Sequence, residues 1–95
     1  MEQNLSLEAK EFRKIVDEMY ELYRKKNANY GNSFGDTWKD FGIISGCTRL
    51  ADKMNRLKSL VKGSENNFES IEDTFIDMAN YAIMCVIELR KENNK

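Results

Sequence analysis

The carboxylates near the C-terminal end of the chain are the residues best spaced to do chemistry. Asp73 and Asp77 are four residues apart, and Asn80 and Met84 continue the same stripe at about 100° per residue of a helix. The rest of this segment is mostly apolar, which predicts a largely buried helix. A buried carboxylate is unfavourable unless a cation, a metal or hydrogen-bond donors compensate it. Two interpretations stay open: Asp73 and Asp77 share a divalent cation such as Mg²⁺, or the stripe is a solvent face.

Two other charged patterns fit the same chemistry. Glu18 and Glu21 form an E-x-x-E pair on the first predicted helix, a spacing of metal ligands that also occurs on many solvated helices. Arg49, Lys53 and Arg56 form a basic stripe that suits phosphate oxygens, a solvated face, or ion pairs with carboxylates of other helices. Acidic metal ligands and phosphate-holding cations together are what phosphate chemistry requires.

Helices must position these groups, because no strand pattern occurs in the sequence. Apolar spacing predicts an all-α protein with one domain over residues 1–95 and helices over about 6–27, 37–44, 45–62 and 69–91. Ser6 and Ser70 are the expected N-caps of the first and last helices. Residues 27–36 are rich in Asn, Gly and Ser and are predicted to form a loop, either a binding loop or a plain connector.

The composition narrows the function. Fifteen basic and sixteen acidic residues give a net charge of −1, which offers no overall attraction to nucleic acid or to an anionic membrane. No signal peptide or transmembrane run is present, so a reducing cytoplasm is the simplest compartment. Histidine is absent, and Cys47 and Cys85 fit no zinc spacing and are expected as buried free thiols. A chain this short is also expected to gain stability by association.

Three blocks of sequence resemble a known family. They are residues 26–33 (KNANYGNS), 49–57 (RLADKMNRL) and 69–82 (ESIEDTFIDMANYA), and they resemble the phage-associated family called nucleotide modification associated domain 1. That family in turn resembles the MazG-like and dimeric dUTPase-like all-α enzymes, which cleave nucleoside triphosphates to monophosphate and pyrophosphate. This chain departs from their second metal motif, because Thr74 stands where those enzymes have glutamate.

The resemblance implies a function and a set of roles. It implies a MazG-like bundle of three or four helices that is completed by the association of two or four copies. It also implies a protein of phage or prophage origin that acts in the bacterial cytoplasm. The partner would be a nucleotide or nucleotide-derived small molecule, with neither nucleic acid nor membrane involved. The implied roles are Mg²⁺ ligation by Glu18, Glu21, Asp73 and Asp77, orientation of water by Glu18 or Glu21, phosphate binding by Arg49, Lys53 and Arg56, and base or sugar contact by Tyr30 and Asn80.

Two other functions remain open at this stage. The same fold with an incomplete metal site would bind a nucleotide immune signal, such as a cyclic dinucleotide or an ADP-ribose derivative, without cleaving it. Alternatively, the chain is a helical interaction module in which Asp73 and Asp77 pair with Arg49 or Arg56.

Overall fold

Four helices account for most of the chain. A computed structural model describes residues 6–63 and 67–94, without the Tyr30 side chain. The helices are α1 (Leu7–Tyr30), α2 (Ser33–Phe41), α3 (Ile44–Lys62) and α4 (Phe68–Asn93). The described part of the chain contains no strand, which confirms the all-α prediction.

Helix α1 belongs to the first of two compact units, residues 1–31 and 32–95. Its N-cap is confirmed, because the Ser6 hydroxyl accepts a hydrogen bond from the Ala9 amide at 3.0 Å. It ends at Gly31, whose φ of 68° is open to glycine and strained for most other residues. The predicted loop over 27–36 is wrong. Helix α1 continues through Tyr30 and α2 begins at Ser33, because Asn32 caps α2 by accepting from the Gly35 amide.

In the second unit α3 and α4 pack side by side, and α2 packs against both. The Phe34 ring lies 5.9 Å from that of Tyr81 and 6.0 Å from that of Trp38, measured between centroids. Phe34, Trp38 and Leu57 are the buried apolar residues of this unit. The Trp38 indole N–H donates to the Glu92 carboxylate, which ties α2 to the end of α4.

Gly46 lets α3 and α4 approach closely. A Cβ at this position would collide with the Cys85 sulfur and lie 3.3 Å from the Trp38 ring. Cys85 is accordingly half-buried, whereas Cys47 is exposed, so the expectation that both thiols are buried is wrong. Burial raises the pKa of the Cys85 thiol, and the nearby Cys47 adds to the effect.

Helix α4 differs from its prediction in two respects. It begins at Phe68 after Asn67, so Ser70 lies inside the helix instead of capping it, and the Ser70 carbonyl accepts a hydrogen bond from Thr74. The helix is also not largely buried. Thr74 and Glu88 are its buried residues, while Phe75 is 55% and Ile83 49% exposed. The side of α4 that packs within the unit therefore carries Thr74 and Glu88 beside Met78 and Tyr81.

Candidate functional site

An ion pair joins two residues that the sequence marked as functional. The Lys53 ammonium donates to the Asp77 carboxylate at 3.0 Å, and the two side chains are 27% and 24% exposed. Lys53 lies twelve residues before position 65, between the two helices, and Asp77 lies twelve residues after it. Residues equally far from the link face each other when two helices run antiparallel. The Asp77 carboxylate is thus compensated by a cation within the same unit.

The ion pair brings the basic and acidic stripes to one side of the helix pair. Arg49 and Arg56 lie within about 60° of Lys53 around α3, because they are four residues before it and three after it. By the same period Asp73 and Asn80 flank Asp77 on α4. We call this surface the charged edge: Arg49, Lys53 and Arg56 of α3 with Asp73, Asp77 and Asn80 of α4.

The charged edge carries two exposed guanidinium groups. Arg49 and Arg56 are exposed and make no ion pair within residues 6–63 and 67–94, whereas Lys53 is held by Asp77. Asp73 is exposed, and Asn80 is half-buried. A guanidinium offers several N–H donors in a plane and binds phosphate oxygens in pairs. The edge therefore has the groups needed to bind phosphate, with acidic and amide groups beside them.

Thr74 is buried inside the second unit. Its side chain is 2% exposed, and its hydroxyl donates to the Ser70 carbonyl at 2.7 Å. The position faces the interior of the second unit and not the charged edge. A glutamate here would bury its carboxylate, which is unfavourable unless a cation compensates it.

The residues of the second unit offer a metal few ligands. Asp73 and Asp77 give two carboxylates one turn apart, and Lys53 already holds an oxygen of Asp77. No cluster of three or more Asp, Glu or Cys side chains suited to a metal occurs in the described parts of the chain. Mg²⁺ is often bound by one or two carboxylates together with water and substrate phosphates, so this pair fits such a site only when phosphate completes it.

The remaining predicted residues belong to α1. Glu18 and Glu21 are exposed and line a shallow depression on this helix together with Lys14 and Lys25. Glu21 accepts from Arg24 at 3.4 Å, a weak surface contact. Their metal and catalytic roles stay predictions. The Tyr30 side chain, predicted to contact base or sugar, lies outside the described residues.

Sequence reasoning left the partner of Asp77 open among the cations of the basic stripe, and it missed the buried carboxylate. The interaction-module alternative named Arg49 or Arg56, whereas Lys53, the third cation of the stripe, forms the ion pair. The equal distance of Lys53 and Asp77 from the link is the signal that identifies the pair. Glu88 was counted neither as buried nor as functional. It is 7% exposed, and its carboxylate accepts from Lys91 at 3.2 Å.

Comparison with known protein families identifies a nucleotide-related family. Residues 26–89 match the family model described as nucleotide modification associated domain 1. The match covers well over half of the chain, which therefore belongs to this family. No curated protein and no solved structure shows significant similarity to it. Within the described residues, no helix is long and apolar enough to cross a bilayer.

Proposed function

We propose that this protein binds a nucleotide through its phosphates at the charged edge, and that with Mg²⁺ it hydrolyses a nucleoside triphosphate to monophosphate and pyrophosphate. The observation that carries the proposal is the pair of exposed arginines, Arg49 and Arg56, on either side of the Lys53–Asp77 ion pair. Membership of a nucleotide-related family supports a nucleotide as the ligand. A phage or prophage origin and action in a bacterial cytoplasm belong to the same proposal.

Each group at the edge has a role in this reaction. Water attacks the α-phosphorus, the bond to the bridging oxygen breaks, and pyrophosphate leaves with the electron pair of that bond. Arg49 and Arg56 hold the β- and γ-phosphates and stabilise the charge that develops on the leaving group. Asp73 and Asp77 would hold Mg²⁺, which when bound screens phosphate charge and activates water. Asn80 contacts the sugar or base, and the proton of the attacking water passes to solvent.

One observation favours a second candidate, nucleotide binding without cleavage. Lys53 holds Asp77, and Thr74 is buried where the related enzymes have a metal-binding glutamate. A site that has lost metal ligands keeps its arginines and its affinity for phosphate. Such a protein would sequester a nucleotide-derived signal instead of hydrolysing a triphosphate.

Calorimetry and product analysis test both candidates. The probes are ATP, the four deoxynucleoside triphosphates, a cyclic dinucleotide and ADP-ribose, each with and without Mg²⁺. We expect Arg49→Ala and Arg56→Ala each to weaken binding about tenfold, the loss of one charged hydrogen-bonded contact. Lys58→Ala is the matched control, because Lys58 is an exposed cation on the opposite side of α3, and it should leave the affinity unchanged.

The outcomes separate the candidates. Pyrophosphate release with Mg²⁺ that Asp77→Asn abolishes supports hydrolysis. Binding with full recovery of intact ligand, with or without Mg²⁺, supports sequestration and rejects hydrolysis. If no probe binds and neither nucleotide nor Mg²⁺ shifts the melting temperature, the nucleotide proposal is wrong and the chain is an interaction module. The proposal also includes assembly of two or four copies, which the exposed apolar surface of α4 supports.

A further inference from the structure

The two cysteines of the chain lie on neighbouring helices of the second unit. Cys47 belongs to α3 and Cys85 to α4, and the sequence contains no other cysteine. Both are free thiols, of which Cys47 is exposed and Cys85 is half-buried. Neither has a role in the phosphate chemistry proposed for the charged edge. A solvent-accessible cysteine beside a second cysteine is typical of a thiol pair that responds to oxidants.

The close packing at Gly46 brings the two cysteines together. A Cβ on Gly46 would overlap the Cys85 sulfur, so this sulfur lies within about 4 Å of the Gly46 Cα. Cys47 is the next residue of α3, and its Cα is about 3.8 Å further along the chain. The Cys85 sulfur is thus no more than about 8 Å from the Cys47 Cα, before any rotation of the Cys47 side chain.

The alignment of α3 and α4 gives a separation that suits a disulfide. The alignment that pairs Lys53 with Asp77 sets Cys47 opposite Ile83, only two residues from Cys85, which is an offset of about 3 Å along the helix axes. With the axes about 8 Å apart, the short end of the range for packed helices, the Cα atoms of the two cysteines lie roughly 6 Å from each other. A disulfide joins Cα atoms about 4.4–6.8 Å apart.

The electrostatic environment of Cys85 supports this proximity. Burial raises the pKa of the Cys85 thiol, and the charge of the Cys47 thiolate raises it further. Since an interaction between charges weakens with distance, the two sulfur atoms lie near each other. Cys85 therefore stays protonated near neutral pH, and the exposed Cys47 is the first of the two to meet a dissolved oxidant.

We propose that Cys47 and Cys85 are an oxidation site, at which hydrogen peroxide produces a reversible disulfide that links α3 to α4. The Cys47 thiolate attacks one peroxide oxygen, the O–O bond breaks, and Cys47 becomes a sulfenic acid. The other oxygen leaves as hydroxide and takes up the proton that Cys47 had lost. The Cys85 sulfur then attacks the Cys47 sulfur, and the displaced hydroxyl leaves as water with the Cys85 proton. Two thiols and one peroxide give one disulfide and two waters.

The disulfide stabilises the helix pair and leaves the charged edge open. It closes residues 47–85 into a loop, which restricts the unfolded chain. Cys47 lies about 120–180° around α3 from the three cations of the charged edge. The bond therefore forms on the opposite side of the helix pair from the surface proposed to bind phosphate. In a reducing compartment such a bond is transient, because thiol reductants reverse it by exchange.

Mass spectrometry of the whole chain tests the bond. After treatment with hydrogen peroxide, the chain should lose two hydrogen atoms, and a non-reducing digest should yield the peptides of Cys47 and Cys85 joined to each other. The oxidised protein should melt roughly 10 °C higher than the reduced protein, and dithiothreitol should restore both the mass and the melting temperature.

The control moves the exposed thiol along the same helix. In the double variant Cys47→Ala/Ala51→Cys the thiol stands one turn further along α3, at an exposed position turned further from α4. We expect this variant to form no internal bond and to keep a sulfenic acid at position 51, which dimedone labels. Circular dichroism checks that its helices persist.

Three results would overturn the proposal. They are oxidation of Cys47 in the unmodified chain without loss of two hydrogen atoms, a disulfide that joins two chains on a non-reducing gel, and internal bond formation in the double variant as fast as in the unmodified chain. These measurements use no nucleotide, so their outcome is independent of the function proposed for the charged edge.

Discussion

The two sides of α4 differ in a way that its sequence does not suggest. The side that packs against α3 and α2 carries Thr74, Asp77 and Cys85 together with Tyr81, whose ring lies against Phe34. The opposite side carries Phe75 and Val86, which are large and apolar, and these are exposed. Three kinds of contact hold the packed side: close approach at Gly46, the Lys53–Asp77 ion pair and the ring contact between Phe34 and Tyr81. The two sides of this helix therefore differ in their surroundings: one is held by α2 and α3, and the other keeps Phe75 and Val86 exposed.

The largest effect is expected at the packed side, where a carboxylate would be buried. Thr74→Glu should lower the free energy of unfolding by about 4 kcal/mol, because the new charge has no partner at a position that is 2% exposed. Thr74→Val should change it by less than about 1 kcal/mol, since the lost hydroxyl only bonds the Ser70 carbonyl within the helix. Urea unfolding measures both. A stable Thr74→Glu variant that Mg²⁺ stabilises further would show that position 74 faces a metal site.

The close approach at Gly46 gives the next largest effect. Gly46→Leu should destabilise the protein by about 3 kcal/mol, because its side chain would overlap Cys85 and Trp38. Ala51→Leu adds bulk to an exposed position of the same helix and should change stability by less than about 0.5 kcal/mol. Equal unfolding midpoints for the two variants would mean that α3 and α4 do not meet at Gly46.

The Lys53–Asp77 ion pair should contribute a smaller amount. A double-mutant cycle with Lys53→Met and Asp77→Ala is expected to give a coupling of about 1 kcal/mol, reduced in high salt because the pair is a quarter exposed. The Arg13–Asp17 pair on α1, which is mostly exposed, is the reference and should give less than about 0.5 kcal/mol. A coupling of zero would show that the Lys53–Asp77 ion pair does not stabilise the packing of α4 against α3.

The exposed side should respond through association alone. Phe75→Ser is expected to change the unfolding free energy of dilute protein by less than about 0.5 kcal/mol, because the ring is mostly in solvent. The unmodified chain should melt at a higher temperature as its concentration rises, and Phe75→Ser should remove that dependence. A large loss of stability at high dilution would show that Phe75 packs within one chain.

The two thiols test the packing of α4 against α3 without any change to the sequence. Cys47 is exposed and should react first with iodoacetamide, as followed by mass spectrometry of the intact and digested protein. Burial raises the pKa of Cys85, so its thiolate forms at a higher pH and its alkylation should lag until the pH is raised. Equal rates at neutral pH would contradict the burial of Cys85 between α3 and α4.

Much of the fold could be predicted because it depends on local pattern. Apolar spacing predicts four helices, Ser6 caps the first, and Gly63 follows the third. The loop over 27–36 could not be placed, since Asn32 and Gly31 serve as caps in a two-residue link. Of the candidate site, the stripes of α3 and α4 were predictable from their helical spacing. Which cation meets Asp77 depends on how the two helices align.

The sequence by itself determined the helices, the stripes of charge along them and the membership of a nucleotide-related family. These features depend on residue type and on a period of about 3.6 residues, both of which are local. Only the tertiary structure decided that Thr74 turns inward, that Lys53 compensates Asp77, and that Phe75 of α4 faces outward. The reason is physical: a helix that is apolar around much of its circumference has several sides that suit packing, and contacts with α2 and α3 select among them.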